Sequence, residues 1–160
     1  MASSENVYVR RARLTDAQAL IAILHDTFGS TWEAHITSVA AQAFRSENRP
    51  FAYVGKRGLE FWIAERQGEV IGFVDWQDDF VNALHVRARH SRCGVGTRLM
   101  DKAEAEIAKS GFGKVRLETD SFNAKSQAFY RARGYQEADR FPDTEWNSGL
   151  TTLLLVKALG

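Results

Sequence analysis

The sequence predicts one α/β domain: a mixed β-sheet with helices packed on it. Segments of strand and helix periodicity alternate in the order β-α-α-β-β-β-α-β-α-β-β, which suits helices laid over a sheet. The chain has 160 residues, enough for one sizeable core and too few for two ordinary domains. Apolar residues are plentiful and Pro50 and Pro142 are the only prolines, which excludes a disordered chain. No repeat, low-complexity tract or linker divides residues 1–160, so they read as a single domain with its core from about Val7 to Leu159.

"VYVRRA" alternates and reads as the first strand. "RLTDAQALIAILHDTF" follows as a helix, with Thr15 and Gln18 matching a capping box and Ala17, Leu20, Leu24 and Phe28 at helical spacing. "STWEAHITSVAAQAFRS" fits a second helix. Ser30 and Glu33 form its box, and Trp32, Ile36, Ala40, Ala43 and Phe44 its inner stripe. "ENRPFAYVGKRG" reads as a loop with one short extended piece.

"LEFWIAERQGEVIGFVDWQ" holds two β-rich runs around "RQGE", a hairpin signal, and "FVNALHV" supplies another strand. The helix from Val95 to about Lys109 buries Val95, Leu99, Ala103 and Ile107, and stops where Gly111 can cap it. "KVRLETD" is a strand and "NAKSQAFYRARG" a helix ending at Gly134. "YQEADRF" and "TTLLLVKAL" are two closing strands.

Twenty-one Lys and Arg against twenty Asp and Glu leave almost no net charge, which argues against nonspecific nucleic-acid binding. Cys93 is the sole cysteine, so no intrachain disulfide forms. "MASSENVYV" lacks the apolar stretch of a signal peptide, and no run approaches a membrane span. The expectation is a cytoplasmic protein without membrane or nucleic-acid partners; a homodimer is left open.

Between strand and helix stands "SRCGVGT". A dinucleotide fingerprint needs a third glycine where Leu99 stands, and a nucleotide-hydrolase loop needs Gly-Lys-Ser/Thr, which is missing. Two readings remain. The glycines bring backbone amides at a helix N-terminus close to a pyrophosphate, with Arg87, Arg89, His90 and Arg92 adding positive charge. Alternatively the segment is a tight turn with incidental arginines.

A second segment, "NAKSQAFYRARGYQ", spaces Asn123, Ser126, Phe129, Tyr130, Gly134 and Tyr135 in a very particular way. Together the two segments resemble the GNAT family of N-acetyltransferases. The first is similar to its acetyl-CoA pyrophosphate loop, Gln/Arg-x-x-Gly-x-Gly/Ala, here preceded by Leu84-His85-Val86-Arg87-Ala88. The second is similar to its pattern Asn-x-x-Ser-x-x-Phe-Tyr-x-x-x-Gly-Phe/Tyr. Ser91 departs from the usual Gln or Arg, and Ala88 from a frequent Pro. The cradle is mostly backbone amides, so Ser91 weakens one side-chain contact without removing the site.

The resemblance implies the fold class α/β (α+β): a mixed, mostly antiparallel sheet of six or seven strands, splayed in the middle, with helices on both faces. It implies an enzyme moving acetyl from acetyl-CoA to an amine by direct attack. The acceptor is a small-molecule amine, a protein lysine or an N-terminus. A catalytically weak acyl-CoA-binding sensor is the alternative. The pyrophosphate would lie on Ser91, Arg92, Cys93, Gly94, Val95, Gly96 and Thr97. The pantetheine arm would pair along Leu84, His85 and Val86, much as an added strand would. Asn123, Ser126, Phe129 and Tyr130 complete the expected cofactor contacts, with Lys125 near Asn123.

An alkylamine has a pKa near ~10.4, so only a few parts in ten thousand are neutral at pH 7. Deprotonation, positioning and an oxyanion donor are therefore the main tasks. By resemblance, an amide around Val86 polarises the thioester carbonyl and Tyr130 protonates the departing thiolate. For the base, Asp79 is the first candidate and His85 the second, since imidazole titrates near neutrality. Asp75, Asp78, Glu118 and Asp120 are further acids nearby in sequence. Cys93 falls in the phosphate loop, away from the thioester, and reads as a tolerated small residue. His85, His90 and Cys93 match no zinc pattern, so no metal is expected.

Asp75, Asp78, Asp79, Glu33, Asp143 and Glu145, with Trp32, Trp76 and Trp146 close to them in sequence, further suggest an acceptor that arrives as a cation.

Overall fold

The computed structural model describes residues 6–90, 94–143 and 148–160. Seven strands form one sheet: β1 (Val7–Arg11), β2 (Trp62–Arg66), β3 (Glu69–Gln77), β4 (Phe80–Val86), β5 (Lys114–Asp120), β6 (Gln136–Pro142) and β7 (Thr151–Ala158). They lie in the order β1-β2-β3-β4-β5-β7-β6. Every neighbouring pair is antiparallel except β4 with β5, so the sheet is mixed and mostly antiparallel, as expected. The "RQGE" hairpin closes through two residues at positive φ, Gln67 at 52° and Gly68 at 80°. That combination turns the chain in the sense that matches strand twist.

Helices cover both faces. α4 (Val95–Lys109) lies on one, where Leu99, Met100, Ala103 and Ile107 are buried against Ile71, Val74, Val115, Leu117 and Leu153. Tyr130 of α5 (Ala124–Ala132) joins that core. α1 (Ala17–Thr27) and α3 (Arg49–Arg57) take the other face, packing Leu20, Ile23 and Val54 on Phe61, Ile63 and Phe73. Burying each such side chain favours folding by about 1.5–3 kcal/mol, and here it also fixes which face every strand residue presents. α4 ends as expected, with Gly111 at φ 98° and the Phe112 N–H returning to the Ile107 carbonyl.

Three local expectations are corrected. α1 is entered not through a Thr15–Gln18 box but through a short turn over Leu14–Asp16. There Asp16 accepts the Arg13 N–H at 2.7 Å while Arg10 grips its carboxylate at 2.9 and 3.0 Å. The single second helix from Ser30 is broken. Phe28–Trp32 forms a π turn and Glu33–His35 a 3₁₀ turn, and α2 spans only Ser38–Ser46. Its cap is Thr37, whose hydroxyl accepts the Ala40 N–H at 3.1 Å. One straight helix would carry Phe44 about 18 Å along its axis from Trp32, out of reach of Phe28. Instead Phe44 stacks on Phe28 at 3.7 Å, while Trp32 reaches Asp120.

The segment read as a loop is the helix α3. Asn48 turns the chain at φ 47° and Pro50 sits in the first turn, a helix-start signature that Gly55 and Gly58 obscured. Tyr53 and Arg57 then tie the helix to buried Asp75 of β3, at 2.7 Å each.

Candidate active site

β4 and β5 run parallel but pair only at Phe80–Arg116 and Val81–Leu117. Beyond those residues no ladder joins them, so the sheet opens in the middle, as expected. Asp79 closes the near end: Arg116 donates two bonds to its carboxylate, at 2.9 and 3.0 Å. A bulge sits in β4 where the register with β3 shifts between Asp75 and Trp76. Asn82 holds it by donating to Asp75 and Gln77 at 3.1 Å each. Bulges bend a strand and deepen its twist, which carries the far half of β4 away from β5.

The α4 side of the opening presents the start of that helix. Gly94 stands before it at φ 75°, a conformation that costs any residue with a Cβ. The first helical bond runs from the Arg98 N–H to the Gly94 carbonyl, so the Val95, Gly96 and Thr97 amides precede the helix's own ladder. Gly96 lets this turn settle on the sheet: a Cβ there would lie 3.4 Å from the Phe129 ring and 3.9 Å from Leu84. The helix start therefore rests on the open half of β4. Ser91, Arg92 and Cys93 lie outside the described residues, as do Glu145 and Trp146.

α5 enters through Asn123, whose side-chain oxygen accepts the Ser126 N–H at 3.0 Å, and the Ser126 hydroxyl meets that of Thr119 at 2.8 Å. Two residues of the motif thus help build the element that carries Tyr130. Tyr130 is buried, edge-on to Phe129 at 5.1 Å and to Tyr135 at 5.5 Å. Burial pushes its phenol well above the ordinary value, so it holds its proton at neutral pH.

The α1 side presents different chemistry. His85 points there and is enclosed by Phe73 at 5.3 Å, Trp32 at 5.7 Å and the Thr27 hydroxyl, 2.9 Å from Nδ1. Burial pushes its pKa down to about 4, so the ring is neutral. Trp32 donates its indole N–H to Asp120, at the end of β5, across 2.5 Å. Thr27, Trp32, His85 and Asp120 therefore form one cluster at the open ends of two parallel strands, the place where open sheets hold ligands. The contact between Trp32 and Asp120 is hidden in the sequence, because the two stand 88 residues apart.

The other proposed acids are not in this cluster. Asp75 is fully buried under Arg57 and Tyr53. Asp78 is exposed in the β3–β4 turn at φ 54°, Glu118 is exposed, and Glu33 pairs with Arg45. Asp79 is tied to Arg116 at the closed end, and that guanidinium holds its carboxyl below the usual range. Trp76 packs into the α4-side core, on the opposite face from Trp32. Of the basic residues before the glycines, Arg89 pairs with Glu69, while Arg87 donates to the Val70 carbonyl at 3.2 Å.

A sheet that parts between two parallel strands, with helix amides on one side and a buried tyrosine on the same face, defines a domain built to hold an extended ligand edge to edge. The comparisons agree. A family model described as "Acetyltransferase (GNAT) family" matches residues 17–135. The blasticidin-S acetyltransferase of Streptomyces morookaense is 35% identical over 105 residues, covering 66% of this chain and 71% of that protein. The PaiA N-acetyltransferase of Thermoplasma acidophilum, solved in complex with coenzyme A, matches at TM-score 0.76 and 17% identity, over 96% of this chain and 99% of that one. The ribosomal-protein-S18-alanine N-acetyltransferase of Escherichia coli matches at TM-score 0.71 and 17% identity, over 96% and 94%. At such identities the structures establish the fold. The chain belongs to the GNAT family of acetyltransferases. It is an acetyl-CoA-dependent N-acetyltransferase.

Proposed function

We propose that this enzyme acetylates a primary amine by direct attack on acetyl-CoA held in the opening between β4 and β5. The observation that carries this reading is the parting of those strands after Val81 and Leu117, with the start of α4 resting on Leu84 beside it. The Val95, Gly96 and Thr97 amides would hold the pyrophosphate at the positive end of α4, and Gly94 keeps the approach open: among the described residues, its chain neighbours aside, no atom lies within 4 Å of its Cβ position. Ser91, Arg92 and Cys93 would complete the loop. The pantetheine arm would run along Leu84, His85 and Val86, where β4 has no β5 partner.

The amine, having lost a proton to water, attacks the thioester carbon through its nitrogen, the Val86 amide steadies the developing oxyanion, the carbon–sulfur bond breaks, and the new amide nitrogen releases a second proton to water. Tyr130, protonated at neutral pH, gives its proton to the thiolate, and Phe129 keeps it against the cofactor. Asn123 and Ser126 would shape the same wall by starting α5. His85 is better suited to orient the amine than to store its proton, since its conjugate acid is too strong. Asp79 stands just before β4, where that strand still pairs with β5, and its ion pair with Arg116 makes it a poor base. The lone cysteine suits a cytoplasmic setting, and no helix among the described residues is long and apolar enough to cross a membrane.

The test is thiol release from acetyl-CoA with n-butylamine, alongside a thermal shift with acetyl-CoA alone. Turnover with the amine and stabilisation without it are expected. Stabilisation without turnover across a panel of amines would favour the acyl-CoA sensor.

A further inference from the structure

Three of the six acids that sequence proximity placed around the acceptor cleft already have cations: Asp75 has Arg57, Asp79 has Arg116 and Glu33 has Arg45. Asp120 differs. It is half-buried, and its one side-chain hydrogen bond is the Trp32 indole N–H on Oδ2. Among the described residues Oδ1 has no hydrogen-bond partner, and no Lys, Arg or His forms an ion pair with the carboxylate. Desolvation and the nearby charge of Asp143 both raise its pKa, and only the indole bond opposes them. Shielding a carboxylate from water without a cation is unfavourable, and a bound cation relieves it.

The setting indicates which cation. Asp120 closes β5 three residues beyond Leu117, where pairing with β4 ends, so it faces the opening on the α1 side. The indole that fixes one carboxylate oxygen also lies beside the His85 ring. That imidazole is neutral, so it adds no competing positive charge. An unpaired carboxylate oxygen, an indole and a neutral imidazole thus meet at one corner of the cleft. An indole face favours a cation over a neutral group of similar size.

Resting on the acetyl-transfer reading above, we propose that Asp120 binds the ammonium group of the acceptor through Oδ1, with Trp32 holding the carboxylate in place through Oδ2. The acceptor then arrives as an ammonium ion, docks on Asp120, and gives up a proton before its nitrogen attacks.

The experiment follows the Trp32 indole N–H resonance in ¹⁵N-labelled protein, assigned by its loss in Trp32→Phe. Titration with n-butylammonium chloride should shift it saturably; 1-butanol and sodium chloride at equal concentration should not. Asp120→Asn should weaken n-butylammonium binding about 10- to 100-fold, the scale of a hydrogen bond to a charged group. The same variant should raise the KM for n-butylamine by a similar factor and leave the KM for acetyl-CoA unchanged. Wild-type n-butylammonium affinity in Asp120→Asn, or equal saturation by 1-butanol, would overturn the proposal. Should Asp120→Asn fail to fold, Trp32→Phe keeps the carboxylate and removes its orienting donor. There an unchanged amine KM overturns it and a several-fold rise supports it. The two readings fail separately: a saturable, Asp120-dependent shift without thiol release from any amine would sink acetyl transfer and leave the ammonium site standing.

Discussion

Asp79 and Tyr130 show how far a single residue can be judged before its neighbours are known. Tyr130 lies inside a local motif, and the spacing that singled it out also builds the helix that carries it. Its phenol is buried and keeps its proton at neutral pH. Tyr130→Phe should lower kcat by about 10²-fold, the usual scale for general acid catalysis, with acetyl-CoA binding retained. Steady-state kinetics beside a thermal shift measure both, and full activity would return the residue to packing alone. Asp79 looked equally well placed beside β4, yet its partner Arg116 stands 37 residues away. Nothing near Asp79 announces that pairing. Asp79→Asn should therefore leave the pH dependence of kcat/KM unchanged, and the loss of its acid limb would restore Asp79 as base.

At the scale of elements, the strand-to-helix junction and the β3–β4 pairing decide the site. Gly94 holds a left-handed turn, so Gly94→Asp carries a backbone cost of about 1–2 kcal/mol and also sets a carboxylate before the α4 amides. The folded variant should lose the thermal shift given by acetyl-CoA, and a shift equal to wild type would place the cradle elsewhere. Gly72 has a stricter reason. A Cβ there would lie 2.8 Å from the His85 carbonyl oxygen and 3.4 Å from the Val86 Cα, both backbone atoms. Gly72→Ala must push β3 and β4 apart where the thioester is expected. It should cost about 1–3 kcal/mol, as overpacking does, and lower kcat more than a distant change of equal stability. Urea unfolding with steady-state kinetics separates the two effects. Helices were legible where periodicity and caps agreed, as in α4. They were misread where one segment had to serve two neighbours, as at Trp32 and Phe44, or where glycines masked a start, as in α3.

The whole molecule is a sheet with two unlike faces. On the α1 side His85 is held neutral near pKa 4 against an ordinary 6.5, so between those values the unfolded chain binds more protons. His85's contribution to stability is intact above pH 6.5 and is lost progressively as the pH falls toward 4. The melting temperature should fall across that window, and fall less steeply in His85→Gln. An unchanged slope would mean that the imidazole is hydrated. The seven strands, the β2–β3 hairpin, the end of α4 and the two family motifs were determined by the sequence itself, because each depends on residues close to one another along the chain. The tertiary structure alone decided which carboxylates are neutralised and which stays open. It also set where β4 leaves β5 and which face receives Trp32. Those outcomes depend on desolvation and on partners tens of residues away, and only the packed sheet brings such partners within reach of one another.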